Sequence, residues 1–128
     1  MTVFRYFYYY RNMEGHSKTA VRYSAMFAAM GSEARLAIMR LLLAAHPERM
    51  VVGELQSELG IPASTLSHHL EKLRAQELVR VRRDRQFLWY AADTETLGRL
   101  LEFLYQECCS RNRVVEPEQF IHIKGTKR

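Results

Sequence analysis

Residues 60–74 read GIPASTLSHHLEKLR and contain the pattern of a tight turn followed by a helix. A short helix is predicted just before it, over Val52–Leu59, and Gly60 fits the left-handed position that often ends a helix. A new helix is then predicted from about Ala63 to Arg74, with Ser64 as its candidate N-cap. A helix, a tight glycine-containing turn and a second helix together form a helix-turn-helix.

The second helix of this pair has two chemically distinct sides. At about 100° per residue its leucines cluster on one side, where they can hold the helix on a domain. Short polar and basic side chains lie opposite and beside them, which is what a helix needs to approach base edges in a major groove. The leucines are Leu66, Leu70 and Leu73, and the candidate DNA-contacting residues are Ser64, Thr65, Ser67, His68 and Lys72.

Two neighbouring histidines occupy this helix and differ in their predicted roles. His68 points away from the leucines and is a candidate for groove contact. His69 flanks the leucines, so a partly buried histidine with a satisfied hydrogen bond explains it as well as a groove contact does. Adjacent helical side chains diverge, so these two residues alone do not predict a metal site.

The elements around the helix pair predict a fold that is mainly α with a small β-hairpin. The second helix of the chain, which contains Leu36, carries apolar residues on every side, and this pattern predicts a central position for the helix. The predicted elements are a helix over Lys18–Met30 that ends at Gly31, a second helix capped by Ser32 and ended by Pro47, strands over Leu78–Arg83 and Gln86–Ala91 with a turn near Asp84, and a last helix from Asp93 or Thr94 whose leucine stripe continues to Cys108.

Length and composition indicate one domain. The chain has 128 residues, of which 48% are hydrophobic, enough for one modest core. We assign residues 17–109 to the domain, 1–16 to an N-terminal extension and 110–128 to a C-terminal tail. Six of the seven residues at positions 4–10 are aromatic. That segment is either appended to the domain or an arm that packs on a partner subunit.

Charge and cysteine content narrow the compartment and the partner. The formal net charge of +5 favours a polyanionic partner such as nucleic acid. The only two cysteines are neighbours, so they cannot form a long-range disulfide framework, and a reducing cytoplasm is the simpler expectation. No apolar run reaches the roughly 18–20 residues that cross a bilayer, so we expect no membrane contact.

The predicted hairpin is strongly basic. Arg83 and Arg85 bracket Asp84 at its tip, while Arg80 and Arg82 share one strand face. A basic hairpin beside a reading helix suits phosphate or minor-groove contact, which raises affinity with little sequence information. The alternative is a charged hairpin that only faces solvent.

Several motifs resemble the ArsR/SmtB family of metal-responsive repressors, over roughly residues 24–109. They are Gly31-Ser32-Glu33-Ala34-Arg35-Leu36, Ser64-Thr65-Leu66-Ser67-His68-His69-Leu70, Leu73-Arg74, Leu78-Val79 and the strand ending in Tyr90. The resemblance implies a winged helix-turn-helix, a homodimer built from the first and last helices, and release of operator DNA on binding an inducer. Two positions depart from it, because Glu77 and Asp84 stand where the family usually or often has glycine.

The resemblance also directs attention to an inducer site, which members of the family place differently. Val51–Leu59 has no cysteine and Asp93–Glu107 has no histidine, so two of the family's metal sites are absent. What remains is the pair Cys108 and Cys109. Adjacent thiolates suit trivalent arsenic or antimony, whether arsenite, methylarsenite or antimonite. A third ligand could be hydroxide, a small thiol or a cysteine of the other subunit.

Other interpretations of the cysteine pair stay open. Cys108 could be a small buried hydrophobic residue, and both thiols could be incidental. The regulator could instead be redox-responsive or metal-independent. A thiol-dependent reductase is a remote alternative, because the chain has no phosphate-binding glycine loop, no C-x-x-C motif and no convincing pair of nucleophile and base. We therefore expect a protein that is not an enzyme.

Overall fold

The computed structural model describes residues 17–106, 108 and 111. Within these residues the chain forms five helices and a three-stranded antiparallel sheet, which confirms the predicted class. The elements are α1 (Ser17–Met30), α2 (Glu33–Ala45), β1 (Met50–Val51), α3 (Val52–Leu59), α4 (Ala63–Ala75), β2 (Val79–Asp84), β3 (Phe87–Ala92) and α5 (Thr94–Tyr105). The chain divides after Asp93 into two compact units. None of the described helices is both long and apolar enough to span a bilayer.

The junction between α1 and α2 is tight. A Cβ on Gly31 would lie 3.3 Å from the carbonyl oxygen of Ala28, closer than most side chains tolerate. Ser32 follows in an extended conformation, and its Oγ accepts a hydrogen bond from the backbone N–H of Arg35 at 3.1 Å. The predicted cap is therefore confirmed, and α2 starts one residue after it.

Helix α2 lies at the centre of the first unit, as predicted, and packs against α1, α3, α4 and β3. Ile38, Met39 and Leu42 are almost completely buried. Leu36 is 49% exposed, although the helix is apolar on every side.

The turn between α3 and α4 follows the prediction with one correction. Gly60 has φ 65°, in the left-handed region, and its N–H donates to the carbonyl oxygen of Gln56 at 2.8 Å. The N-cap of α4 is Pro62 rather than Ser64. The carbonyl of Pro62 already accepts from the N–H of Leu66 at 2.9 Å, so the helix begins at Ala63 and Ser64 lies inside its first turn.

The sheet has the strand order β1-β3-β2. Strands β2 and β3 form the predicted hairpin, each starting and ending one residue later than expected, and we call this hairpin (residues 79–92) the wing. Its left-handed turn residue is Arg85, with φ 58°, not Asp84. Asp84 instead ends β2, paired with Phe87. Strand β1 was not predicted, because two residues are too short to show an alternating pattern.

The second unit is built on α5. Its predicted leucine stripe is buried at Leu100 and 58% exposed at Leu104. The helix ends at Tyr105, so the expectation that the helical stripe continues to Cys108 is wrong. Cys108 lies in a turn beyond the helix, where its backbone N–H donates to the carbonyl of Tyr105 at 2.7 Å. That bond spans three residues rather than the four of an α-helix, so the backbone has left α-helical geometry at Cys108.

Candidate nucleic-acid interface

Helix α4 is anchored by its leucines. Leu66, Leu70 and Leu73 are at most 1% exposed, and we call them the leucine seam. The helix packs against α1, α2, α3 and β2. Burying three leucines contributes several kcal/mol, because each is worth about 1.5–3 kcal/mol. The seam therefore holds α4 firmly enough for its other side to be presented to a ligand.

The opposite side of α4 is open to solvent. Every DNA-contacting residue predicted on this helix is exposed, and we call the set the reading face: Ser64, Thr65, Ser67, His68 and Lys72. Pro62 supplies no side-chain acceptor to the first turn, so a phosphate oxygen could bond to first-turn N–H groups at the positive end of the helix dipole. The face combines short hydroxyls with one long cation, a composition suited to groove and phosphate contact.

His69 is directed inward, in contrast to His68. It is half-buried, and its Nδ1 lies 3.2 Å from Nη1 of Arg35 in α2. Desolvation and then the positive charge of Arg35 lower the pKa of His69, with smaller contributions from His68 and Lys72. The interpretation of His69 as a partly buried, hydrogen-bonded histidine is confirmed. The two imidazole centroids are 6.3 Å apart and tilted by 49°, so they do not face a shared ion.

The C-terminal end of α4 is closed by a Schellman motif. The N–H of Glu77 donates to the carbonyl of Arg74 at 2.9 Å, and the N–H of Leu78 donates to the carbonyl of Leu73 at 3.0 Å. Leu73 and Leu78 are both fully buried, which supplies the hydrophobic contact of the motif. Glu77 takes the left-handed position at φ 60°. The geometry that glycine usually provides is therefore kept despite the substitution.

An ion pair lies on the last turns of α4. Nε of Arg74 donates to Glu71 at 2.9 Å, and this pairing lowers the pKa of Glu71 and raises that of Arg74. Tyr90 of β3 is close enough to be affected, since burial first and then the Glu71 charge raise its pKa. Glu71 thus carries little uncompensated negative charge toward a polyanion, which the sequence alone did not indicate.

The wing keeps its basic tip, but one of its arginines has another role. Arg83 and Arg85 are exposed, and Nε of Arg83 donates to the carbonyl of Arg85 at 3.3 Å. Arg80 forms an ion pair with the buried Asp93, with 2.9 Å between Nε and Oδ2. Arg80 and Arg82 were predicted to share a strand face, but the side chain of Arg80 is held by Asp93, the last residue of the first unit. Apolar side chains at the tip, which were not predicted, are also exposed: Phe87 at 50% and Leu88 at 41%.

The candidate inducer site is only partly described. Cys108 is half-buried in its turn, while Cys109 lies outside the described residues. Among the residues that the structure describes, no three His, Cys, Asp or Glu side chains cluster as they would around a metal ion. The cysteine pair and its third ligand stay predictions.

Comparison with known proteins identifies relatives of this fold. A helix-turn-helix domain family model matches residues 30–82. The transcriptional activator HlyU of Vibrio cholerae is 31% identical over 102 residues, or 80% of this chain and 92% of HlyU. A structure of reduced HlyU covers 75% of this chain and 98% of its own, at 33% identity and a TM-score of 0.58.

A second relative is the nodulation protein NolR. The Rhizobium meliloti protein is 38% identical over 78 residues, which is 61% of this chain and 62% of NolR, less than two thirds of that protein. The crystal structure of NolR from Sinorhizobium fredii covers 73% of this chain and 90% of its own, at 34% identity and a TM-score of 0.59.

A third comparison supports the fold alone. An ArsR-like transcriptional regulator from Rhodococcus sp. RHA1 has a TM-score of 0.65 at 22% identity, over 75% of this chain and 88% of its own. Together with the anchored helix, its open reading face and the basic wing, these similarities define the class of the protein. The chain belongs to the ArsR/SmtB family of helix-turn-helix transcriptional regulators.

Proposed function

We propose that the chain is a homodimeric repressor that binds operator DNA and releases it when trivalent arsenic or antimony binds Cys108 and Cys109. The observation that carries the DNA-binding part is the two-sidedness of α4: the leucine seam is at most 1% exposed while every residue of the reading face is exposed. A helix so anchored can lie in a major groove without losing its packing.

The polar residues divide the work of binding. Ser64, Thr65 and Ser67 have short side chains that reach base edges or nearby phosphates, and His68 adds a longer donor or acceptor. Lys72 of α4 and Arg83 and Arg85 of the wing carry charge to the phosphate backbone. Base contacts then give sequence preference, and the cations give most of the salt-dependent affinity.

The DNA-binding proposal is tested without knowing the operator. A random duplex library is enriched on the purified protein, and the enriched duplex is titrated by fluorescence anisotropy against a scrambled duplex of equal length. We expect a clear preference for the enriched duplex that is lost in a Ser67→Ala, His68→Ala double variant. Failure to enrich any sequence would refute operator recognition.

The homodimer follows from the need to read two half-sites. Two copies of α4 would have to lie about 34 Å apart, one turn of DNA. Exposed apolar side chains on α1 and α5 support a role of these helices in association: Val21 is 68% exposed and Leu104 is 58% exposed. Light scattering during gel filtration should give twice the mass of 15.1 kDa. A monomer at the concentration used for DNA binding would contradict this part.

The inducer proposal rests on the thiol chemistry and on the position of Cys108. Because Cys108 lies in a turn and not in α5, the rigid splay of helical neighbours does not constrain it. Soft thiolates prefer trivalent arsenic and antimony to hard cations. A tenfold loss of DNA affinity needs about 1.4 kcal/mol of coupling, within the usual range of about 1–3 kcal/mol.

The inducer is tested by titrating the protein–DNA complex with arsenite, methylarsenite and antimonite. We expect release with at least one of them, and Cys108→Ser and Cys109→Ser variants that bind DNA normally but do not respond. Release that persists in both variants would place the inducer elsewhere. Insensitivity of the native protein to all three would remove the metalloid part and leave the DNA-binding part intact.

A redox-responsive regulator is the second candidate, supported by HlyU, whose solved structure is described as reduced. Adjacent cysteines close a disulfide only with strain, so oxidation would favour a bridge between subunits. Non-reducing electrophoresis after peroxide treatment distinguishes the two candidates. A dimer band that disappears in the Cys108→Ser, Cys109→Ser double variant, with release of DNA by peroxide but not by metalloids, would favour the redox function.

A further inference from the structure

One arginine connects three helices of the DNA-binding unit. The half-buried Arg35 lies in the first turn of α2, where its backbone N–H is held by Ser32. Its Nε donates to the backbone carbonyl of Ala29, near the end of α1. Its Nη1 lies 3.2 Å from Nδ1 of His69 on α4. A single guanidinium therefore bridges the α1–α2 junction and the helix that carries the reading face.

The local sequence explains how Arg35 reaches both partners. Gly31 allows the chain to turn within hydrogen-bond distance of the α1 terminus, and its N–H donates to the carbonyl of Ala28 at 3.1 Å. The Ser32 cap then sets the direction of the first turn of α2. Ala29 is a buried residue and its hydrogen bond with Arg35 is partly buried, which limits competition from water.

The chemistry of the pair assigns the roles of donor and acceptor. A guanidinium stays charged and has only donors, so Nδ1 of His69 must be the acceptor. The imidazole is then neutral and carries its proton on Nε2. Protonation of His69 would replace the acceptor with a second donor and place two positive charges in contact.

We propose that Arg35 and His69 are positioning residues that set the orientation of α4, and with it the direction of the reading face. This inference rests on the proposed function, since it concerns the same helix. His69 directly follows His68 and Ser67, so a small rotation of α4 at this point redirects both side chains. Loss of the contact costs specific affinity even though the leucine seam keeps the helix folded.

The test compares two substitutions of His69 that differ in one property. In His69→Asn, the amide oxygen stands near the position of Nδ1 and can still accept from Arg35. In His69→Leu the volume is kept, but no acceptor remains. Arg35→Met removes the donor and keeps much of the apolar stem. The double variant Arg35→Met, His69→Leu completes a double-mutant cycle.

The first readout is affinity for the enriched and scrambled duplexes. We expect Arg35→Met and His69→Leu each to lose about tenfold in affinity for the enriched duplex, because the loss of a hydrogen bond to a charged group corresponds to about a tenfold factor. The affinity of His69→Leu for the scrambled duplex should be unchanged. His69→Asn should recover most of the loss, and the double variant should be no weaker than the weaker single variant. An Asn variant as weak as the Leu variant would overturn the proposal, as would additive losses.

The second readout does not depend on DNA. Hydrogen exchange of the α4 amides should be faster in Arg35→Met and His69→Leu than in the native protein, and near native in His69→Asn. His68→Leu is the matched control, because His68 is exposed and should leave exchange unchanged. Equal exchange in all variants would refute the positioning role. Failure of the native protein to bind any duplex, with the exchange pattern intact, would refute only the proposed function.

Discussion

Glu77 holds a left-handed conformation where glycine would be unstrained, and this predicts an unusual order of stabilities. We expect the Glu77→Gly variant to be more stable than the Glu77→Ala variant. Both substitutions remove the ion pair between Nη2 of Arg22 and Oε2 of Glu77, which is 2.8 Å long. Their difference therefore isolates the backbone conformation at φ 60°.

The magnitude follows from two opposing contributions. A residue with a Cβ pays about 1–2 kcal/mol to adopt the left-handed helical region. Glycine loses about 0.4–1 kcal/mol through the greater freedom of its unfolded chain. The Gly variant should therefore exceed the Ala variant by about 1 kcal/mol. The side chains of Arg22 and Glu77 are 57% and 67% exposed, so loss of their ion pair lowers the free energy of unfolding of both variants by at most about 1 kcal/mol.

Thermal and urea unfolding followed by circular dichroism measure this order. A difference of about 1 kcal/mol shifts the melting temperature by a few degrees, roughly 4 °C in a chain of this size. Ala75→Gly is the matched control, because Ala75 is in the right-handed last turn of α4 and glycine should destabilise it there. An Ala variant at position 77 as stable as the Gly variant would refute the assignment of strain to this residue.

Three further predictions concern the seam, the phosphate contacts and His69. Leu70→Ala should lower the free energy of unfolding by about 2–5 kcal/mol, measured by urea denaturation, because Leu70 is 1% exposed; a change below 1 kcal/mol would contradict its place in the core. Lys72→Ala and Arg85→Ala should each weaken binding to both duplexes by the same factor. The slope of the logarithm of the binding constant against the logarithm of the salt concentration should become shallower by about 0.9 in each variant, and an unchanged slope would exclude a phosphate contact. Because the pKa of His69 is lowered in the folded protein, its contribution to stability is complete above about pH 6.5 and is lost as pH falls through the lowered pKa. In His69→Asn, the free energy of unfolding should therefore depend less on pH below about 6.5. An unaltered pH dependence would refute this linkage.

Local patterns predicted much of the candidate site. The spacing of Leu66, Leu70 and Leu73 was enough to separate the buried from the exposed side of α4, since 3.6 residues per turn leaves no other arrangement. Gly60 and Ser32 were recognisable because each acts on backbone groups within four residues of itself. The cap of α4 was misassigned to Ser64, because serine is a favoured N-cap residue and Pro62 is not. The helical hydrogen bonds in fact begin at Pro62, two residues before Ser64.

The contacts that position the site were out of reach of such patterns. Arg35 and His69 are 34 residues apart, and Arg80 and Asp93 are 13 apart, so no local period marks them as partners. Strand β1 exists only because Met50 and Val51 meet Tyr90 and Trp89 across the sheet. Glu77 adopts its conformation because Leu78 must enter the core beside Leu73, which outweighs the local preference of glutamate.

Local sequence patterns were sufficient to predict the five helices, the hairpin and the polar side of α4, because these depend on helical periodicity, capping and turn chemistry over a few residues. Tertiary packing was needed to show that the partner of His69 is Arg35, that Arg80 pairs with the carboxylate of Asp93, and that α5 ends before Cys108. The physical reason is that burial and pairing depend on residues distant in the chain. A side chain's neighbours are known only once the helices have packed.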